Sequence, residues 1–308
     1  MAVRGKKKPD NDPSYRSMKA EYYPVQRQVQ LATTAGGTKY LLDVARQLSV
    51  VNHRLYRQGK TYQVKIDIDN RADVAIGPAQ YDVYALTDTW YVQKAWQLAR
   101  AQYLRSTAAE RANMSQQQRA RWEDFRVTAG ISGSQVIVPY QYSETLVGAV
   151  NTDGEFQTSV IVLEDGTTQR TFTWGSTPSA SEYSMLQEYD KSGNTEAHPA
   201  TQSADKAYSG TEDLNEAQMD ALAGNGNSPP YNNLNFTDNV WVKVATLDNS
   251  GTGNAGDSSH SRMSTGFFNA PCGLVVIVPS ISHTLAGDLS MTVKAGQYKG
   301  TAAMNMGV

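Results

Sequence analysis

The stretch Thr61–Ile68, "TYQVKIDI", alternates large apolar side chains with polar ones. Its apolar residues Tyr62, Val64, Ile66 and Ile68 therefore share one face of an extended chain, and its polar residues share the other. A period of two is typical of a β-strand with one buried face. The stretch predicts a half-buried strand, and the pattern recurs along the chain.

Seven further stretches carry strand signals. They are Tyr81–Leu86, Gln135–Tyr140, Phe156–Leu163, Gln169–Trp174, Val240–Leu247, Gly273–Pro279 and Leu289–Lys294. The two that flank "EDGTT" predict a hairpin with Asp165 and Gly166 at its turn. The stretch "GLVVIVP" is apolar on both faces and predicts a central strand. Gln28–Thr34 and Tyr40–Val51 are candidates for one or two more strands.

Between the second and third predicted strands the apolar period becomes helical. The stretch "TWYVQKAWQLARAQYLRST" predicts a helix over about residues 89–105, with Trp96 and Tyr103 on the apolar face. Ser115 and Gln118 form a capping-box signature that predicts a second helix over about 116–124. We interpret the aromatic stripe of the first helix as a surface packed on the sheet rather than as a binding site.

Eight strands with helices only as insertions predict an all-β fold, a single eight-stranded jelly-roll β-sandwich. This shell domain would span residues 24–308, with a helical insertion at about 89–127 between the second and third strands. A long polar surface excursion at about 176–238 would contain at most one short helix, at Glu212–Gly224.

The charge is unevenly distributed along a chain whose net charge is −2. Residues 1–60 contain twelve Lys and Arg against four Asp and Glu, whereas residues 150–238 contain three against fourteen. Residues 1–23 predict a flexible basic arm that binds nucleic-acid phosphates without reading their sequence. Its candidate binding residues, together with one residue just beyond it, are Arg4, Lys6, Lys7, Lys8, Arg16, Lys19 and Arg27.

The sequence stretches that match catalytic or cofactor-binding motifs lack the neighbouring elements or residue spacing that those motifs require. The "GTGNAG" stretch (Gly251–Gly256) matches a dinucleotide fingerprint, but a polar segment follows it instead of an apolar helix. The four histidines lack zinc-site spacing, and Cys272 is the only cysteine. We therefore expect no enzymatic activity, no resident metal and no cofactor. Calcium bridging between subunits by Asp153 or Asp165 stays open. We also expect no signal peptide and no membrane span.

Three stretches resemble a known family. Leu86–Val127, with "WEDFR" at Trp122–Arg126 as its most specific piece, is similar to the helical insertion of capsid proteins from small circular Rep-encoding single-stranded DNA viruses of environmental, largely marine, type. Asn269–Ser280 and Gly287–Gly300 resemble the last two strands of the same proteins, and the rest of the chain resembles them in layout.

This resemblance implies a single jelly-roll coat protein, located in the virion, that assembles with copies of itself into an icosahedral shell around a single-stranded DNA genome. Assembly would take place inside the host cell, with the nucleus as one candidate compartment. Many proteins of that family have a longer, Arg-rich N-terminal segment. In this chain either Lys39, Arg46 and Arg27 supplement the arm, or the genome is bound loosely. The acidic excursion 176–238 would face outward and is a candidate surface for a host receptor.

Two alternatives remain open at this point. One is the coat protein of an RNA virus with the same fold, because phosphate contacts do not report the sugar. The other is a non-viral carbohydrate-binding or adhesive β-sandwich, which would be a monomer with aromatic side chains along a sugar groove.

Overall fold

The computed structural model describes residues 25–32, 39–70, 80–115, 124–131, 134–139, 157–163, 167–175, 179–193, 240–248, 261–279 and 288–306. These ranges contain sixteen strands and four α-helices. The strands are β1 Gln28–Ala32, β2 Lys39–Asp43, β3 Lys60–Asn70, β4 Gln80–Leu86, β5 Ser134–Val136, β6 Val138–Pro139, β7 Val160–Val162, β8 Gln169–Thr173, β9 Glu182–Ser184, β10 Trp241–Asp248, β11 Ser261–Ser264, β12 Phe268–Ala270, β13 Leu274–Pro279, β14 Asp288–Val293, β15 Ala295–Tyr298 and β16 Ala303–Asn305. The helices are α1 Val44–Asn52, α2 Trp90–Ser106, α3 Ala108–Asn113 and α4 Met185–Gly193.

Two large sheets organise the strands. The first has the order β11-β3-β14-β1-β6, with β12 and β16 also paired to β3. The second has the order β10-β4-β13-β2-β5. All of these pairs are antiparallel except β2 with β5. A small third sheet has the order β7-β8-β9.

One buried apolar cluster contains side chains from both large sheets. Val64, Ile66 and Met291 of the first sheet belong to it, as do Leu42 and Ile277 of the second. Each of these five side chains is fully buried. A core shared by two mostly antiparallel sheets makes the described part of the chain β-rich and compatible with a β-sandwich.

The two stretches with the clearest sequence pattern form the expected strands. On β3, Tyr62, Val64 and Ile66 are buried at alternate positions. Strand β13 lies between β2 and β4, and it is buried along most of its length. The predicted alternating strand and the predicted central strand are therefore confirmed. The strands predicted at Tyr81–Leu86, Val240–Leu247 and Leu289–Lys294 correspond to β4, β10 and β14.

Strand pairing in the two sheets is nested. The first strand, β1, pairs with β14, and β2 pairs with β13. Between these strands in the sequence, β3 pairs with β11, and β4 pairs with β10. Early strands therefore pair with late ones, in reverse order along the chain. Strands β1 and β3 belong to the first sheet, whereas β2 and β4 belong to the second, so the early chain alternates between the sheets.

The single strand predicted at Gln135–Tyr140 is two short strands. Strand β5 pairs with β2 in the second sheet, and β6 pairs with β1 in the first. The chain crosses the core at Ile137, which is buried and whose N–H donates to the carbonyl of Leu41. Pro139 has no N–H to donate, and β6 lies at the end of its sheet, where that group is not needed.

Helices occur where the sequence analysis predicted strand or loop. Of the candidate strand Tyr40–Val51, the first part belongs to β2 and the rest forms α1. The Asp43 carboxylate caps this helix by accepting the Arg46 N–H at 3.0 Å. Helix α2 matches the prediction for 89–105, whereas α3 was not predicted. The helix predicted at 116–124 lies outside the described residues except for Asp124, which is not helical.

Helix α2 packs in a second apolar cluster with the third sheet and α4. Trp96 and Ala99 of α2 are buried there with Phe172 of β8, Leu186 of α4 and Leu274 of β13. The aromatic stripe is therefore a packing surface, as interpreted from the sequence. Strands β7 and β8 form the predicted antiparallel hairpin, although its turn at 164–166 lies outside the described residues.

The first part of the predicted polar excursion is folded. Residues 179–193 include β9 and α4, and Met185 and Leu186 at the start of α4 are buried. Apolar side chains in this stretch are sparse, so its sequence suggests surface, but they are spaced to fill one face of a short helix. Residues 194–238, with the short helix predicted at 212–224, lie outside the described residues.

Candidate nucleic-acid interface

The arm predicted to bind nucleic acid, residues 1–23, lies outside the described residues. Arg4, Lys6, Lys7, Lys8, Arg16 and Lys19 therefore remain predictions. Arg27 is described and exposed, just before β1, and its carbonyl accepts the Val293 N–H at 2.9 Å. Of the two cations suggested as supplements, Lys39 is half-buried at the start of β2 and Arg46 is half-buried on α1.

The described chain begins beside its own C-terminal region. A Cβ atom on Gly300 would lie 2.6 Å from Val25, so the two residues pack closely. Gln26 is fixed next to them, because its N–H donates to Asn52 Oδ1 at 2.8 Å and its carbonyl accepts from Asn52 Nδ2 at 3.0 Å. Val25 and Gln26, which follow the predicted arm in sequence, are therefore held near the turn that contains Lys299.

Cations gather at this end of the molecule. Arg54, Arg57 and Lys60 lie within "RLYRQGK", which joins α1 to β3, and Lys299 lies in the turn after β15. Burial lowers the pKa of Lys299, and the charges of Arg54 and Arg57 lower it further. The same causes act on Lys60, whose pKa is lowered by burial and then by Arg57 and Lys299. Like charges close enough to depress each other's pKa define a site that favours an anion.

Tyrosines hold these cations in place. The Tyr56 hydroxyl donates to the carbonyl of Lys299 at 2.9 Å, and the Tyr298 hydroxyl accepts the Arg57 N–H at 3.1 Å. The two rings meet edge to face, with centroids 6.0 Å apart. The ammonium of Lys60 lies 3.9 Å from the centroid of the Tyr298 ring. Burial raises the pKa of both tyrosines, so they stay neutral donors and acceptors.

A cavity of about 660 Å³ opens among these groups, and we call it the basic cavity. Its lining combines residues from the 57–60 segment, from α2, from the 124–125 segment and from the C-terminal region. They are Arg57, Gly59, Lys60, Trp96, Gln97, Arg100, Ala101, Leu104, Asp124, Phe125, Tyr298, Lys299, Asn305 and Met306. Four of these side chains are cationic and one is acidic, so the cavity is positively charged.

The one acidic residue of the lining belongs to a buried network. Asp124 accepts from Arg126 Nη1 at 3.2 Å and from the Gln58 N–H at 3.2 Å to each oxygen. Arg126 also pairs with Asp43, and Gln58 Nε2 donates to that carboxylate at 3.3 Å. Burial raises the pKa of Asp124 to about 6, against the opposing effect of the Arg126 charge. At neutral pH the Asp124 carboxylate is ionised, and Arg126 is shared between it and Asp43.

No sequence pattern indicates this cavity, because its four cations come from three distant segments. A local signal was nevertheless present in "RLYRQGK", where cations alternate with Tyr56 as they do in the predicted arm. Asp153, Asp165 and the "GTGNAG" stretch lie outside the described residues. Among the residues that are described, no three His, Cys, Asp or Glu side chains group as metal ligands.

The described residues thus form a β-rich fold with a cationic, partly aromatic cavity whose Lys299 lies near Val25, the first described residue. Comparisons with protein-family models, with curated proteins and with solved structures found no match. None of the described helices combines the length and the apolar character needed to cross a bilayer.

Proposed function

We propose that the chain is a structural capsid protein, a single jelly roll that assembles into an icosahedral shell and packages single-stranded DNA. The nested strand pairing is the observation that carries the proposal. When a long antiparallel ribbon of eight strands is rolled into two facing sheets, the first strand pairs with the eighth, the second with the seventh, the third with the sixth and the fourth with the fifth. In the described chain β1, β2, β3, β4, β10, β11, β13 and β14 pair in that order.

A fold alone does not define a function, so the second support is the charge. The basic arm of residues 1–23 leaves the described domain at Val25, close to Lys299 and the basic cavity. Phosphate contacts from the arm and from this end of the domain would act on the same side of a subunit. Many weak contacts, repeated over the copies in a shell, bind a polyanion strongly without reading its sequence.

Exposed apolar side chains support assembly. Strand β10 ends the order of the second sheet in the described residues, and its Val242 and Val244 are 48% and 38% exposed. Trp90 and Phe267 are more than half exposed. An edge strand with apolar side chains is a surface that a soluble protein normally covers with a partner. Copies of the same chain in a shell would provide that partner.

Size-exclusion chromatography and electron microscopy of the purified full chain test this proposal. Megadalton particles of uniform diameter are the expected result, and a single species near 33.7 kDa that ignores polyanions at low salt would contradict it. A monomer that binds sugars would favour the adhesive β-sandwich. Digestion of the packaged material with DNase and RNase separates the DNA virus from the RNA virus.

The acidic excursion 176–238 would face outward in such a shell, where it could meet a host receptor, because like charge keeps it away from the genome side. Limited proteolysis of intact particles tests this orientation. We expect cuts within 194–238 and protection of residues 1–23, and the opposite pattern would invert the orientation.

A further inference from the structure

The basic cavity lies on the folded domain, apart from the predicted arm, and has both a charged and an apolar part. We propose that it is a second nucleic-acid site that takes one nucleotide of a single strand, with the phosphate near Lys60, Arg100 and Lys299 and the base near Trp96. The proposal rests on the packaging function proposed above and names a site for it on the domain itself.

The charged part suits a phosphate. In the described part of the chain no ion pair involves Lys60, Arg100 or Lys299, since the ion pairs found there involve Lys65, Arg126 and Lys243. Instead Lys60 donates to Asn305 Oδ1 at 2.5 Å, and Lys299 donates to the carbonyl of Leu55. These hydrogen-bond partners are neutral, and Asp124 is the acidic residue of the lining whose charge acts on Lys299. A phosphate would relieve the repulsion that lowers their pKa values.

The apolar part suits a base. Trp96, Leu104, Phe125 and Met306 contribute apolar surface to the lining, and the Arg100 guanidinium lies 5.7 Å from the centroid of the Trp96 ring. Trp96 is 6% exposed, and its indole N–H has no acceptor among the described residues. A buried donor without an acceptor is unfavourable. The volume of about 660 Å³ falls within the range of small-molecule sites and leaves room for a nucleotide.

The combination favours a single strand over a bare anion or a sulfated sugar. An inorganic anion would need the cations but not the apolar residues, and a sulfated sugar has a puckered ring edged with hydroxyl groups, which covers an aromatic side chain less completely than a planar base does. Aromatic and cationic groups side by side are typical of sequence-tolerant single-strand binding. The arm is attached at Val25, beside Lys299, so one strand could contact the arm and the cavity in succession.

The first test measures the charged part in the full chain. The probe is fluorescein-labelled (dT)4, titrated by anisotropy at several salt concentrations. The variant Lys60→Gln/Lys299→Gln should bind at least about tenfold more weakly at low salt. Its slope of log affinity against log salt should flatten by about 1.4. The control Lys94→Gln/Arg105→Gln removes two exposed cations of α2 that do not line the cavity. Equal losses in both variants, or no loss in the first, would overturn the proposal.

The second test measures the apolar part by tryptophan fluorescence. Binding of (dT)4 should quench part of the emission in the wild type and in Trp90→Phe, whose Trp90 is exposed on the same helix. In Trp96→Phe that quenching should be lost. If Trp96→Phe keeps the quenching, or if pyrophosphate or a sulfated oligosaccharide displaces the probe as well as unlabelled (dT)4 does, the site is not a nucleotide site.

Particle formation, followed by microscopy on the same preparations, separates the two proposals. Shells that form normally while the cavity variants bind (dT)4 like the wild type would overturn only the cavity site. If the wild-type chain stays monomeric while the cavity variants lose (dT)4 binding, the proposed capsid function is overturned and the proposed nucleotide site is supported.

Discussion

The buried carboxyl of Asp124 makes stability depend on pH in a direction unusual for an aspartate with an arginine neighbour. Its pKa is raised from 3.8 to about 6 because burial outweighs the attraction of Arg126. Between these values the folded state binds a proton that the unfolded state has released. The folded state is therefore favoured at low pH, and this contribution is lost as the pH rises from about 4 through about 6.

The size of the effect follows from the shift. Each pKa unit corresponds to about 1.4 kcal/mol, so a shift of about two units changes the free energy of unfolding by about 3 kcal/mol across the window. Above about pH 7 this contribution is constant, since Asp124 is then ionised in both states.

The variant Asp124→Asn removes this titrating group and keeps every other carboxyl in the chain. We would measure urea unfolding of both proteins in dilute solution at pH 4, 5, 6, 7 and 8. The wild type should lose about 2.5 kcal/mol relative to Asp124→Asn between pH 4 and pH 7, because at pH 4 the unfolded state is still partly protonated. A difference between the two proteins that stays constant over that range would refute the reasoning, and a wild type that gains relative stability would show that Arg126 outweighs burial.

Three further changes test other contacts. Arg126→Met leaves two buried carboxylates without their cation and should destabilise the fold by about 3–5 kcal/mol in urea unfolding, whereas the exposed control Arg105→Met should change it by less than about 0.5 kcal/mol. Gly59→Ala would place a Cβ 2.3 Å from the Trp96 ring and should lower the unfolding free energy by about 1–3 kcal/mol; an unchanged value would mean that the ring moves freely. Deletion of residues 1–23 should leave the unfolding midpoint unchanged, reduce packaged nucleic acid and flatten the salt dependence of binding; unchanged packaging would locate the genome contact elsewhere.

The strands were the most predictable part of the molecule. On β3 the alternation of Tyr62, Val64 and Ile66 is a local property of the sequence, and each of these side chains is buried. Local pattern did not distinguish β2 from α1, because both are apolar and lie next to each other. The difference depends on Asp43, which ends the strand and caps the helix through a hydrogen bond to the Arg46 N–H.

The basic cavity could not be predicted in the same way. Lys60, Arg100 and Lys299 come together only because α2 packs beside the start of β3 and the C-terminal turn packs beside Tyr56. Each of these cations looks like an ordinary surface residue in its own segment. The basic arm, in contrast, was predicted from composition alone, and no contact among the described residues supports that prediction.

The pairing of β1 with β14 brings Gln28 opposite Thr292. During synthesis β1 can therefore pair with β14 only after residues 289–292 have left the ribosome, long after its other neighbour, β6, has been made. Contacts between such distant positions close slowly. If the chain forms a shell as proposed, the surface that contacts other subunits would be complete only after β14 has paired, so assembly would begin from completed domains.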